Sequence, residues 1–174
     1  MIKFLKNLLK SNKDQLKDNS NFKELVSNEA IKELFKLFNS YSNQAELRFV
    51  GGCVRKLINN EKIDDIDLSI NLKPDIVIEI LKKNKIKFYE TGIEHGTITA
   101  VVKNKTFEIT SLRKDIITDG RHAQVEYTNN WLEDASRRDL TINAIYSDID
   151  GNLFDPFNGK KDLKYGTIKF IGDS

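Results

Sequence analysis

The chain has 174 residues and a mass of 20.0 kDa, which is enough for one compact domain with a substantial core. Hydrophobic residues make up 39% and charged residues 31%, and no apolar run reaches the length of a membrane span, so the composition is that of neither a disordered tail nor a membrane protein. With 28 basic and 26 acidic residues, the formal net charge of +2 is too balanced for a nonspecific polyanion binder.

Residues 1–46 contain none of the nine glycines and are predicted to form two helices that pack on the rest of the chain. In the first helix, apolar residues from Ile2 to Leu16 recur at helical spacing. The second helix repeats this pattern over residues 30–38, after a cap at Ser27 or Asn28. A membrane or RNA contact through the basic first helix is the alternative to packing.

From Leu47 onward, short strands alternate with helices. Strands are predicted at residues 47–50, 66–70, 87–89, 96–102, 106–110 and 145–148, and helices at residues 54–58, 74–83 and 133–143. Pro74 is tolerated in the first turn of its helix, and residues 103–105 form a hairpin turn. The pattern predicts an α+β fold with a mixed sheet, rather than a doubly wound parallel sheet.

A glycine pair stands at the first junction between strand and helix. The apolar strand runs into Gly51 and Gly52, and Arg55 follows one turn into the helix. Glycines there let the main chain approach a ligand closely, and arginine offers a planar fork of donors to a phosphate. A tight turn with a surface arginine is the structural alternative.

Two carboxylates accompany the next strand. Because strand side chains alternate, Asp65 and Asp67 are expected on one face, with Ile66 and Leu68 directed into the core. Two adjacent carboxylates repel each other, and a divalent cation such as Mg²⁺ between them relieves the repulsion. The alternative is simply a polar strand end.

Glu108 lies between apolar neighbours in the later hairpin strand, which is expected to be partly buried. A buried carboxylate needs a partner. A metal held by Asp65 and Asp67 is one candidate, and a salt bridge with a lysine across the strands is the other.

The predicted helix over residues 133–143 concentrates charge. On a helix, Glu133 and Asp134 can pair with Arg137 and Arg138 four residues later, which is typical of a solvated face. Arginine beside Asp139 also suits a ribose and triphosphate site, with cations for phosphates and a carboxylate for hydroxyls.

Other reactive residue types carry less information. His95 and His122 are expected to be hydrogen-bonded loop residues, because neither has a second ligand at metal spacing. Cys53 is expected to be half-buried and inert, and a single cysteine suits a reducing cytoplasm. Trp131 is expected to anchor a loop to the core, with base stacking as the alternative.

Taken in order, these motifs resemble the head domain of the tRNA nucleotidyltransferase/poly(A) polymerase family, in particular the bacterial CCA-adding enzymes. The resemblance covers about residues 47–173 and rests on several ordered motifs. They are Gly51-Gly52-x-x-Arg55, Asp65-x-Asp67, Thr91-Gly92-x-x-His95-Gly96-Thr97, Phe107-Glu108-Ile109-Thr110, Asp119-Gly120-Arg121-His122, Arg137-Arg138-Asp139, Thr141-Ile142-Asn143-Ala144 and Asp155-Pro156-Phe157-Asn158-Gly159.

The resemblance implies a polymerase-β-like nucleotidyltransferase fold that uses ATP and CTP to build the 3′ end of tRNA without a template. It implies Asp65 and Asp67 as Mg²⁺ ligands in two-metal phosphoryl transfer, with Glu108 as a candidate third carboxylate. The implied nucleotide contacts are Gly51, Gly52, Arg55, Arg137, Arg138, Asp139 and Asn143. Within the family, a poly(A) polymerase or a CC- or A-adding enzyme is the alternative, and a catalytically idle nucleotide-binding module is the alternative outside the enzymes.

The chain differs from the family pattern at one position and repeats one of the family's motifs at an unexpected place. Lys56 follows the motif arginine where the family often has aspartate, which puts a local salt bridge in doubt. The stretch from Glu133 to Arg137 matches the family's base-selecting motif E-D-x-x-R only by coincidence, since it overlaps the arginine-arginine-aspartate motif. We therefore expect a head domain over residues 47–174, with the neck and RNA-binding body outside this chain and the oligomeric state undetermined.

Overall fold

The computed structural model of the protein describes residues 16–116 and 124–172. Two helices come first, α1 at Ser20–Ser27 and α2 at Glu29–Asn39, each capped by the preceding asparagine side chain. Helix α1 was not predicted, whereas α2 and its cap at Asn28 were. The first predicted helix falls almost wholly on residues 1–15, outside the described residues, and the Asp119–His122 motif lies outside them too.

Nine strands follow within the described residues. They are β1 Leu47–Val50, β2 Asp67–Ile70, β3 Lys87–Gly92, β4 Thr97–Val102, β5 Lys105–Ser111, β6 Arg113–Ile116, β7 Gln124–Tyr127, β8 Tyr146–Ser147 and β9 Leu153–Phe154. Seven of them form one sheet in the order β3-β4-β5-β2-β1-β8-β9, and β6 pairs with β7 alone. Among the strands of the described residues, only β2 and β5 pair in parallel, so the predicted α+β fold with a mixed sheet is confirmed.

One face of the sheet carries the main hydrophobic core. Alternate residues of each strand point to it, so that Leu47, Phe49, Leu68 and Ile109 are all fully buried. Helices α1 and α2 cover the β1 side, and α4, Pro74–Lys83, covers β3 and β4. The apolar stripe of each helix, spaced at 3.6 residues, accounts for this packing.

A smaller apolar cluster lies on the other face, at the β1–β8–β9 end. Helix α5, Trp131–Ser136, packs there with Val50 and Tyr146 at the centre of the cluster. The ring of Trp131 meets the ring of Tyr146 edge to face, with centroids 5.3 Å apart. Trp131 therefore has the anchoring role that was predicted, but it anchors a helix and not a loop.

Helix α6, Gly159–Tyr165, docks on a short 3-10 turn at Thr141–Asn143. A Cβ atom at Gly159 would lie 2.1 Å from the carbonyl oxygen of Thr141, so only glycine allows this approach. The Thr141 hydroxyl also donates to the buried carboxylate of Asp162 at 2.7 Å. Helix α6 thereby fixes the position of the turn that ends at Asn143.

The prediction of one helix over residues 133–143 is wrong. Helix α5 ends at Ser136, and Leu140 is extended and bridges Phe170. The main-chain N of Ile171 donates to the carbonyl of Asp139 at 3.0 Å, so hydrogen bonds across this bridge replace those of a longer helix. Strands β6, β7 and β9 were not predicted.

None of the helices in residues 16–116 and 124–172 has the length and apolar character needed to cross a bilayer.

Candidate functional site

The two carboxylates of the acidic motif lie at the start of β2. The strand begins at Asp67, so Asp65 lies in the preceding loop and not on the strand as predicted. Partial burial raises the pKa of Asp67, and the nearby charge of Asp65 raises that pKa further. The two carboxylates therefore interact, and their unfavourable pairing is the kind that a bound cation relieves.

The glycine pair makes the turn from β1 into α3, Gly52–Ile58. Gly51 has φ +65° and ψ −125°, a conformation that side-chain-bearing residues rarely adopt. Its main-chain N donates to the carbonyl of Ile145 at 3.2 Å. The position of a Cβ at Gly51 would lie 3.8 Å from Nη1 of Arg138, so the turn brings the first and fourth predicted motifs together.

A chain of side chains links α3 to the 3-10 turn. Nη1 of Arg55 donates to Oδ1 of Asn143, and Nδ2 of Asn143 donates to Oδ1 of Asp139 at 3.1 Å. The hydrogen bond from Asn143 is the main cause that lowers the pKa of Asp139, which keeps this carboxylate ionised. Three residues predicted from separate motifs therefore form one hydrogen-bonded row.

Lys56, the departure from the family pattern, forms an ion pair with Asp64 that joins α3 to the loop before β2. The hydrogen bond from Lys56 also lowers the pKa of Asp64.

Both arginines of the fourth motif bind one buried carboxylate, Asp134, whose residue is only 1% exposed. Arg137 donates to Oδ1 of Asp134 from Nε at 2.9 Å and from Nη2 at 2.8 Å. Arg138 donates from Nη2 to Oδ2 at 3.2 Å. The predicted Asp134–Arg138 pair is present, whereas Glu133 instead accepts from the Thr128 hydroxyl.

The charges of this cluster stabilise one another. Burial alone would raise the pKa of Asp134, but the charges of Arg138 and Arg137 and the hydrogen bond from Tyr146 outweigh burial, and the pKa is lowered. Burial alone would lower the pKa of Arg138, but Tyr146 and Asp134 raise it. The cluster is thus ionised and paired in the interior, and not a solvated helix face.

A cleft of about 500 Å³ joins these parts. Eight of the ten predicted site residues line it: Gly51, Gly52, Arg55, Asp67, Arg137, Arg138, Asp139 and Asn143. Asp65 and Glu108 are the two predicted residues that do not line it.

Glu108 lies beside Asp67 in the parallel pairing of β5 with β2. Its side chain is exposed, so the prediction that it is buried is wrong. The reason is that Glu108 points to the open face of the sheet, whereas its neighbours in β5 point to the core. Within residues 16–116 and 124–172, no group of three or more His, Cys, Asp and Glu side chains is close enough to hold a metal, and Glu108 forms no salt bridge with a lysine. Its role as a third carboxylate stays a prediction.

Several cleft residues were not among the site residues predicted from the sequence. Ser69, Thr97 and Thr110 lie on adjacent strands with their side chains on the cleft face, and the hydroxyls of Thr97 and Thr110 are 2.9 Å apart. Arg113 and His95 complete that side, and the Arg113 guanidinium donates to the His95 carbonyl. The alternation of polar and apolar residues along β2, β4 and β5 is the signal that identifies the three hydroxyl residues.

Cys53 takes no part in the site. It is buried behind the glycine turn, and burial raises the pKa of its thiol to about 12. It is therefore inert, as predicted, although more deeply buried than expected.

Comparison with known proteins gives a consistent set of similarities. A family described as the Poly A polymerase head domain matches residues 47–169. CCA tRNA nucleotidyltransferase 1, mitochondrial, of Homo sapiens is 46% identical over 145 residues, 83% of this chain and 33% of that protein. The CCA-adding enzyme of Lactobacillus johnsonii is 40% identical over 129 residues, 73% of this chain and 31% of that enzyme.

Solved structures give the same result. The crystal structure of Bacillus stearothermophilus CCA-adding enzyme in complex with CTP is similar, with a TM-score of 0.71 and 29% identity, over 88% of this chain and 34% of that one. The chain thus spans about a third of the length of the relatives it matches.

Proposed function

Because the chain belongs to the Poly A polymerase head domain family, we propose that it transfers nucleotides from CTP and ATP to the 3′ end of tRNA in a template-independent, Mg²⁺-dependent reaction. Within this proposal, residues 47–174 are the nucleotidyltransferase head, and the helices of residues 1–46 pack on it. The burial of Phe22, Phe35 and Phe38 against the sheet core supports that division. A cytoplasmic location stays a prediction from the single cysteine.

The observation that carries the proposal is the meeting of four sequence motifs in one cleft. The glycine turn, Asp67 of the acidic pair, and the arginine pair with nearby Asn143 come from three separate parts of the chain. Hydrogen bonds or close approach at Arg55, Arg138 and Asn143 link the first of these parts to the third. The relative named CCA tRNA nucleotidyltransferase supports tRNA as acceptor, and the similar structure solved with CTP supports CTP as a donor.

Nucleotidyltransferases of this family generally use a divalent metal. Asp65 and Asp67 fit such an ion, because they are hard oxygen donors whose mutual repulsion raises the pKa of Asp67. We propose that these two residues hold Mg²⁺. When bound, the ion neutralises phosphate charge and lowers the pKa of the attacking hydroxyl.

The remaining residues bind and orient the substrate. The turn at Gly51 and Gly52 receives the triphosphate, and Arg55 and Arg138 donate to its oxygens. Asp139, ionised and fixed by Asn143, accepts from the ribose hydroxyls. The 3′-hydroxyl of tRNA then attacks the α-phosphorus and gives up its proton to solvent, while the bond between the α-phosphorus and the bridging oxygen breaks and pyrophosphate leaves. Catalysis is supplied mainly by positioning and charge.

The test uses tRNA that lacks its 3′ CCA, labelled CTP and ATP, and MgCl₂, with products resolved on a sequencing gel. We expect a short addition whose full length requires both nucleotides. Asp67→Asn should remove it, and Asp150→Asn, which changes an exposed turn aspartate, should not. Long runs of A would instead identify a poly(A) polymerase, and C alone or A alone would identify a partial-adding enzyme. No incorporation, with nucleotide still bound, would identify an idle module.

A further inference from the structure

The carboxylate of Asp134 lies beneath the cleft and accepts five hydrogen bonds. Oδ1 accepts from Nε and Nη2 of Arg137 and from the main-chain N of Arg113, the last at 3.2 Å. Oδ2 accepts from Nη2 of Arg138 and from the hydroxyl of Tyr146, the last at 2.7 Å. Asp134 itself does not line the cleft. Its contacts reach the substrate site only through the arginines.

Tyr146 connects this carboxylate to one arginine. Its hydroxyl donates to Oδ2 of Asp134, and the hydroxyl oxygen of Tyr146 accepts from Nε of Arg138 at 2.9 Å. Tyr146 is fully buried, and its ring packs against the rings of Trp131 and Phe154, whose centroids are 5.3 and 5.9 Å away. The hydroxyl is therefore fixed in position, and not free to follow the arginine.

The consequence is a defined orientation for each guanidinium. In both arginines, Nε and Nη2 are occupied by Asp134 or Tyr146, which leaves Nη1 as the donor turned away from the cluster. For Arg138, Nη1 donates one hydrogen to the carbonyl of Asn143 at 3.4 Å and keeps a second hydrogen, and it lies 3.8 Å from the position of a Cβ at Gly51, in the glycine turn. That turn is where the proposed function places the triphosphate.

We propose that Asp134 and Tyr146 act together as positioning residues that orient Arg138, and with it Arg137, toward the nucleotide phosphates. The proposal rests on the proposed nucleotidyl transfer for the identity of the ligand. Neither residue touches the substrate. Asp134 supplies the negative charge that pairs with both arginines, and Tyr146 determines which edge of the Arg138 guanidinium is buried. Preorganised donors of this kind bind a phosphate without first having to reorganise.

The decisive variant is Tyr146→Phe, which removes one oxygen atom and keeps the ring that packs on Trp131. Its matched control is Ser147→Ala. Ser147 is equally buried on the opposite face of β8, and its hydroxyl donates to the carbonyl of Asp148 at 3.0 Å, away from both arginines. Each variant loses one buried hydroxyl from the same strand, so their difference isolates the contacts of the Tyr146 hydroxyl with Asp134 and Arg138.

The first measurement is equilibrium binding of CTP in the presence of Mg²⁺, by calorimetry. We expect Tyr146→Phe to raise the Kd about tenfold, the effect of losing one hydrogen bond to a charged group, and Ser147→Ala to leave the Kd within twofold. In the transfer assay, the KM for CTP should rise to a similar degree while kcat changes less than threefold. Equal effects of the two variants would overturn the proposal.

A double-variant cycle with Arg138→Lys tests whether Tyr146 acts through that arginine. Lysine has no Nε–H to donate, so in this background Tyr146→Phe should add less than a twofold further change in the Kd. Independent, multiplying effects would show that Tyr146 acts in some other way. If CTP binding behaves as expected but no nucleotide enters tRNA, the positioning role stands and the proposed transfer reaction is wrong.

Discussion

On one face of the central sheet, Leu47, Phe49 and Leu68 pack against helices, whereas on the other face Val50, Asp67 and Ser69 border the cleft. The same strands β1 and β2 supply both sets at alternate positions. The first face is held by apolar contacts, which have no preferred direction. The second depends on which donor meets which acceptor. The two faces should therefore respond differently to substitution, one in stability and the other in activity.

The largest effect on stability is expected on the apolar face, from Phe49→Ala. Phe49 is fully buried, and its ring centroid lies 4.8 Å from that of Phe35 and 6.4 Å from that of Phe22. Truncation should lower the free energy of unfolding by about 3–5 kcal/mol, measured by urea denaturation. Where the variant is still folded, its Kd for CTP should be that of the parent chain. A loss below about 1 kcal/mol would contradict the assigned core.

On the cleft face, Asp67→Asn should reverse that pattern. Loss of a metal-binding carboxylate removes several kcal/mol of transition-state stabilisation, so transfer should fall about 10³-fold. The circular dichroism spectrum should be unchanged, since Asp67 is the first residue of β2 and its side chain is not part of the apolar core. Turnover near that of the parent chain at saturating Mg²⁺ would exclude Asp67 as a required ligand.

Arg138→Lys should have an intermediate effect. Charge is kept, but the edge that pairs with Asp134 and Tyr146 is lost, so the KM for nucleotide should rise about tenfold. Arg48→Lys is the control. Arg48 also presents Nε and Nη2 to one carboxylate, that of Glu46, and stacks on Trp131, but it does not line the cleft. An unchanged KM in Arg138→Lys would reduce Arg138 to an ion-pair residue.

The smallest expected effect is the pH dependence that Asp67 imparts to stability. Its folded-state pKa is raised by burial and by Asp65, so its contribution is fully present below the unfolded pKa and is lost as pH rises through the folded pKa. In metal-free buffer, Asp67→Asn lacks this loss, and its Tm should exceed that of the parent chain by roughly 1–2 °C at neutral pH, the effect being limited by solvent screening. The difference should vanish below about pH 3.5. A lower Tm for the variant at neutral pH would contradict the assigned repulsion.

The comparison of the two faces also explains what could be predicted from the sequence. The apolar periodicity of α2 and α4 and the alternation along β4 and β5 determine their packing locally, and those elements were predicted. The glycine pair was recognisable because Gly51 needs a conformation that few other residues adopt. The residues around Asp67 and Arg138 likewise indicated chemistry from their types alone, whereas Asn143 was assigned only by the resemblance to the family.

What was missed depends on partners that are distant along the chain. The helix expected over residues 133–143 is interrupted because Leu140 bridges Phe170, which no local pattern around Leu140 reveals. The neighbourhood of Asp134 indicated a charged surface, but Tyr146 and the main chain of Arg113 enclose this carboxylate. Glu108 was expected to be buried from its apolar neighbours, although alternation places it on the open face.

The parallel pairing of β2 with β5 has a consequence for the time course of folding. Strands β4 and β5 form a tight hairpin, and β3 joins β4 through a short connection, so this part can form from local contacts. The strand that carries Asp67 pairs with β5, from which α4, β3 and β4 separate it in the sequence. Strand β8 is separated from its partner β1 by a still longer stretch of chain. During refolding, helical and hairpin signals should therefore return before the cleft that contains Gly51, Asp67 and Arg138 is assembled, so a partly folded molecule would lack a complete site.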